Sequence, residues 1–194
     1  MLNLQKILEF ARLINKFSKV ERVVRKIGED RWENDIEHSY RLAMLGWYII
    51  DAHKLSLDKN LVLKYALLHD MVEVYAGDTF VFSQNQKEHE SKKHREDEAA
   101  KKLEKNYPDF TDAHRLIKQY EAKNDKESRF VDAIDKLDPM ISIFLDNGRT
   151  WKEKNITIDM IIEYKKEKVA VSPEIEACFY EFIDLLKEKE KEMF

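Results

Sequence analysis

Four glycines and three prolines are all that 194 residues offer for tight turns, too few for a chain built of many short strands. The apolar residues instead recur at helical spacing, so the expectation is an all-α fold. Eight helices are predicted, at about 2–17, 36–54, 58–76, 86–106, 109–122, 127–146, 156–170 and 173–192. The length suits one domain over 1–194, with its core at about 12–146 and C-terminal helices at 156–192 packed on it.

Composition narrows the function. The net charge of −4 gives no basic footprint for a nucleic-acid polymer, although a small phosphate ester needs only a local positive site. The longest uncharged stretch, LAMLGWYII between Arg41 and Asp51, is far short of the ~20 apolar residues of a membrane span. Leu2, Leu4, Ile7, Leu8 and Ala11 lie at helical spacing with no small-residue cleavage site, so the first segment reads as a folded helix and not a signal peptide. A cytoplasmic protein is the expectation. Cys178 is the single cysteine, so no internal disulfide can form; between Ala177 and Phe179 in an amphipathic segment, it is expected in the core.

One stretch does not fit a plain core. YALLHDMVEVYAGD, residues 65–78, belongs to a helix apolar nearly all the way round, yet it carries His69, Asp70 and Glu73. In one continuous helix, His69 and Glu73 share a face, with Asp70 one step around. An unpaired carboxylate there costs several kcal/mol or takes a proton. A divalent cation satisfies several such groups at once; a buried hydrogen-bonded His-Asp couple is the plainer alternative. Two further apolar helices carry polar groups: ENDIEHSYRLAMLGWYII has His38 in its first turn, and SRFVDAIDKLDPMISIFL has Asp132, Asp135 and Asp138 at i, i+3, i+6. One of the three aspartates is expected to turn inward. Pro139 should kink or restart that last helix. Two imidazoles with two carboxylates suit Co, Mn, Ni, Fe or Zn better than Ca or Mg.

A lone His, a His-Asp doublet about thirty residues on and a distant Asp, all on helices, resemble the HD-domain superfamily of metal-dependent phosphohydrolases. Within it the chain looks like the YfbR-like group of 5′-deoxynucleotidases. ENDIEHS, HDMVEVYAGD, HREDEAA and RFVDAIDKLD carry the likeness, over about residues 12–146. The resemblance implies a helical bundle holding one divalent transition metal on His38, His69, Asp70 and Asp135. It implies hydrolysis of nucleoside 5′-monophosphates to nucleoside and phosphate, with Glu73 as the catalytic carboxylate. Asp78 takes the position that helps hold the nucleotide, with Thr79 beside it, and the group suggests a homodimer.

The chain departs from the group in two places: DTFVFSQNQ at 78–86, expected as a loop unusually apolar for a surface, has TFVF where the group usually has a proline, and the end of the first helix differs as well. Where relatives have LIN followed by Arg-Trp, the pair that orients phosphate and selects deoxyribose, this chain has Lys16 and Phe17. Lysine keeps the charge but not the two-pronged geometry, and phenylalanine has no indole N–H. Arg31 and Trp32 form a rival pair nearer His38, so Lys16, Phe17 and Arg31 are all candidate substrate contacts. A triphosphohydrolase or phosphodiesterase and a non-catalytic nucleotide-sensing module are the alternatives. The first of these would need a larger group of Lys and Arg beside the metal than can be placed from sequence.

Overall fold

The computed structural model describes residues 2–83 and 86–194, with their side chains except those of Gln86, Glu88 and His89. Helix α1 (Leu4–Phe17) leads into an antiparallel hairpin, β1 (Glu21–Arg25) and β2 (Trp32–Asn34), with Glu21 opposite Asn34 and Arg25 opposite Trp32. Then come α2 (Asp35–His53), α3 (Lys59–Leu68), the single turn α4 (Glu73–Ala76) and α5 (Gln86–Asn106). They are followed by α6 (Thr111–Ala122), α7 (Lys126–Leu145), α8 (Arg149–Lys154), α9 (Ile158–Val169), α10 (Pro173–Glu188) and the terminal turn α11 (Glu190–Met193). The fold is all-α, with one two-stranded sheet among the described residues. No helix of the described residues is long and apolar enough to cross a membrane.

Helix α7 is the axis of the arrangement. It contacts β1, α2, α3, α6, α8, α9 and α10 and buries Phe130, Val131, Ile134, Leu137 and Met140. Around it Leu42, Ile50, Val62, Tyr65, Ile161 and Phe179 close the main core, each contributing about 1.5–3 kcal/mol by burial. A smaller cluster joins Leu13 of α1 to Met71, Val72, Leu103 and Ile117. The inward face of α7 thereby carries Asp135 and Asp138 to the middle of the molecule.

Four expectations need correction. The helix at 58–76 is not continuous: it ends at Leu68, and the chain turns through His69–Val72 before α4. Hydrogen bonds there shorten to three-residue steps, Met71 N to Leu68 O and Glu73 N to Asp70 O, which swings Asp70 and Glu73 off the helical face assumed for them. The hairpin at 21–34 and helix α8 were not expected; Val23 and Val24 are β-branched, and Gly28 at φ +73° supplies the turn. Pro139 does not restart α7, which runs from Lys126 to Leu145 with the proline inside it. Cys178 is exposed, on the outer side of α10. The loop expected from Asp78 to Gln86 includes Gln84 and Asn85, which lie outside the described residues.

The start of α2 is locked by a capping box. The Asn34 side chain accepts from the Ile36 and Glu37 N–H groups, and the Glu37 carboxylate accepts from the Asn34 N–H. Arg31 grips the same Glu37 through both terminal nitrogens, at 2.9 and 2.6 Å, tying the hairpin turn to the helix. Asn34→Ala should lower stability by about 1 kcal/mol, read as a reduced midpoint in urea unfolding; an unchanged midpoint would mean the box does not hold the helix start.

Candidate metal centre and its cavity

His38 lies one turn into α2, His69 and Asp70 where α3 gives way to the turn, and Asp135 mid-way along α7. One ligand atom from each falls within 4.8 Å of all the others. His38 Nε2 is 3.2 Å from His69 Nε2 and 2.9 Å from Asp135 Oδ1. His69 Nε2 is 3.0 Å from Asp70 Oδ2 and 3.6 Å from Asp135 Oδ1.

The outer nitrogens fix the tautomers. His69 Nδ1 donates to the Ala66 carbonyl at 2.8 Å, the acceptor a continuing helix would offer to Asp70 N–H. His38 Nδ1 donates to Asp138 Oδ2 at 2.8 Å. With both Nδ1 protons committed, two buried Nε2 lone pairs face each other between two carboxylates, an arrangement that requires a positive charge at its centre. A proton can supply it: although burial opposes the charge, Asp70 and Asp135 push His69 up to about 10. A divalent cation supplies it better, and the two-nitrogen, two-oxygen set fits a transition metal.

Asp138 is the part of the acidic stripe with a second task. Arg41 donates to both its oxygens at 2.7 Å and also to Glu33. Burial works against its charge, but His38 and Arg41 hold the Asp138 carboxyl down to about 2. Asp132, the third member, faces Lys123 at 3.1 Å.

Beside the cluster opens a cavity whose polar lining is Arg22, Asp70, Glu73, Asp78, Thr79, Lys92, Asp135, Lys136 and Lys165. Its apolar lining includes Val24, Phe80, Phe82, Met140, Trp151 and Tyr164. Glu73 opens α4, and its Oε2 is buried with no hydrogen-bond partner; Lys92 stands 3.6 Å from the other oxygen. Burial, then the neighbouring Asp70, Asp78 and Asp35, pushes the Glu73 carboxyl well above its ordinary range. Asp35, Asp70 and Glu73 offer a second trio of close carboxylate oxygens. Gly77 ends α4 at φ +76°, ψ 153°, a conformation essentially reserved for glycine, and turns Asp78 and Thr79 toward the cavity. Thr79 Oγ1 accepts from Arg95 at 2.8 Å.

Three expected substrate contacts are not among the cavity's lining. Lys16 is exposed, its Nζ 5.5 Å from the Tyr75 ring centroid. Phe17 is buried and lines an apolar surface groove with Phe10, Ile14 and Met71. Arg31 is committed to Glu37 and Glu29. The guanidinium in the cavity is Arg22 of β1, 2.6 Å from Asp70 and 3.4 Å from Asp35, with Nε buried and unpartnered. Only the hairpin brings it there, which is why a helical register overlooked it. Glu33, Arg41 and Lys165 were overlooked too, and Asp138 was singled out only as a member of the acidic stripe. A signal existed for Lys165, which holds an apolar-face position of α9 with Ile158, Ile161 and Val169.

Asp138→Asn should weaken divalent-metal affinity about 10–100-fold, measured by calorimetric titration of metal-free protein. Unaltered affinity would show that His38 needs no carboxylate behind it.

The comparisons with known proteins agree with this geometry. The chain is 30% identical to the 5′-deoxynucleotidase HDDC2 of Homo sapiens over 140 residues, covering 70% of this chain and 65% of that protein. It is 29% identical to the Bos taurus protein of the same name, with the same coverage; the chain thus spans about 65% of the length of these relatives. The crystal structure of a predicted metal-dependent phosphohydrolase from Magnetospirillum magnetotacticum MS-1 superposes with a TM-score of 0.82 at 27% identity, covering 96% of this chain and 94% of that one. An HD-domain phosphohydrolase from Listeria innocua shares the fold at TM-score 0.59 and 19% identity, covering 96% and 87%. The HD domain family model matches residues 14–176, a span that takes in every residue of the His/Asp cluster and the cavity, and the chain belongs to the HD domain family.

Proposed function

We propose that the protein is a metal-dependent phosphomonoesterase that hydrolyses (deoxy)ribonucleoside 5′-monophosphates to nucleoside and phosphate. The observation that carries this reading is the pair of facing Nε2 atoms flanked by Asp70 and Asp135, two carboxylates that also line a cavity with both charged and aromatic walls. His38, His69, Asp70 and Asp135 would hold one divalent transition ion, Co, Mn, Ni, Fe or Zn. Such an ion supplies a readily deprotonated water and neutralises phosphoryl charge.

The chain's own residues do the rest. Arg22, paired with Asp70 and Asp35 and with its Nε 4.0 Å from Glu33, holds the Asp70 carboxylate in place beside the phosphoryl site. Glu73 lines the cavity with its Oε2 buried and without a hydrogen-bond partner, and serves as general acid/base, exchanging a proton with the attacking water or the leaving 5′-oxygen. Asp78 and Thr79 border the nucleoside, and Phe80, Phe82 and Tyr164 give its base an apolar wall.

The cavity's cations bear on the triphosphohydrolase alternative. Four line it, but Arg22 is paired with Asp70, Lys92 with Glu96 and Lys136 with Asp135. That leaves little uncompensated positive charge for a triphosphate, which favours the monoester. The homodimer is supported by an exposed apolar face on α2, where Tyr40, Met44, Trp47 and Tyr48 recur at helical spacing. Light scattering should give twice the chain mass, falling to the monomer in Trp47→Glu; a wild-type monomer would refute it.

Phosphate release from nucleoside mono- and triphosphates with Mn, Co, Ni, Zn and Mg tests the activity: monophosphates should be cleaved, and triphosphates preferred over them would reverse the reading. Glu73→Ala should retain substrate binding and lose about 10²–10⁴-fold in kcat. Undiminished turnover in that variant would remove Glu73 from the chemistry.

A further inference from the structure

Helix α9 buries one face made of Ile158, Ile161, Lys165 and Val169. Three are ordinary core residues. Lys165, at 5% exposure, carries an ammonium into the interior, where a charge without a partner is costly. Its Nζ donates to the Lys136 carbonyl at 2.6 Å, one helical residue past Asp135. That uses one of three donors.

Lys165 is also a wall of the cavity, and it differs there from the other cations. Arg22, Lys92 and Lys136 each have a carboxylate within 3.0 Å. No carboxylate among the described residues forms an ion pair with Lys165. Burial, reinforced by neighbouring Lys136, pulls its ammonium down to about 7, the behaviour of a cation whose counter-charge is missing. A purely structural role would be served by isoleucine or leucine at this helical position. A buried lysine with two donors to spare, at the edge of a cavity built to take a phosphate ester, is suited to an anion that arrives from outside.

We propose that Lys165 is a substrate-binding residue whose ammonium contacts the substrate's phosphate group inside the cavity. The proposal rests on the phosphohydrolase reading above and extends it to α9, an element beyond the segments that carry the His/Asp cluster. The three cations already paired hold the acidic side chains in place; Lys165 is the one whose charge is free to be matched by phosphate. Arginine at this position would retain the charge and much of the contact, whereas methionine keeps the stem alone.

The test is calorimetric binding of inorganic phosphate to the metal-loaded protein, beside steady-state kinetics with a deoxynucleoside 5′-monophosphate. Lys165→Met should raise both the phosphate Kd and KM about tenfold or more, with kcat within about threefold of wild type and metal content unchanged. Lys165→Arg should recover most of the loss. A folded Lys165→Met protein that binds phosphate as wild type does would overturn the proposal. Should that variant not fold, a crystal structure of wild-type protein grown with inorganic phosphate decides: Lys165 Nζ within about 3.2 Å of a phosphate oxygen supports the contact, and a bound phosphate out of its reach excludes it. Phosphate binding needs no turnover, so wild-type protein that binds phosphate through Lys165 but cleaves no monophosphate would leave this site standing and remove only the activity assigned above.

Discussion

Two imidazole nitrogens, His38 Nε2 and His69 Nε2, are held 3.2 Å apart with their lone pairs facing, and much of the surrounding architecture follows from what that contact demands. Each ring is pinned from behind, one by a carboxylate and one by a backbone carbonyl. Neither can turn away without abandoning a buried hydrogen bond. The repulsion is relieved only by positive charge between the nitrogens, and Asp70 and Asp135 ensure that such charge is welcome. The local backbone serves the same end: α3 ends at Leu68, and the turn that follows carries His69 and Asp70 to the same centre.

The support behind the centre is ionic and buried. Arg41 joins Glu33 and Asp138, and Asp138 in turn holds His38. Such networks seldom add net stability over well-packed apolar residues. Here the network gives orientation, because it keeps an aspartate ionised in the interior and so fixes which imidazole nitrogen carries a proton. Closer to Asp70 the balance is looser. Arg22 Nε, Asp35 Oδ2 and Glu73 Oε2 are buried without hydrogen-bond partners, and unsatisfied groups of this kind mark a surface shaped for something that binds.

His38, His69, Asp70 and an aspartate of the stripe were legible as misfits because each interrupts an otherwise apolar helical run, and the resemblance to the HD-domain superfamily named Asp135 as the one that joins them. The substrate contacts were less legible. Assigning them to Lys16, Phe17 or Arg31 assumed a plain connection between the first helix and His38. The chain forms a hairpin there, which delivers Arg22 to the cavity while Arg31 clamps the start of α2. Strand pairing is a non-local event, and Val23-Val24 with Gly28 is too short a pattern to outweigh the helical period around it. The double duty of α7 was only half visible: an acidic stripe announces that some aspartate turns inward, but which one meets the cluster and which supports His38 depends on how α2 packs across it. Phe80 and Phe82, in the loop after Asp78, line the cavity.

The central claim is that these four side chains together bind one ion. Calorimetric titration of metal-free protein with Co or Mn measures it most directly, run in parallel on His69→Ala and Asp135→Ala. One tightly bound ion per chain in the wild type, and loss of that binding in both variants, is the predicted result. An absence of binding, or an ion held equally well after either side chain is removed, would contradict the account.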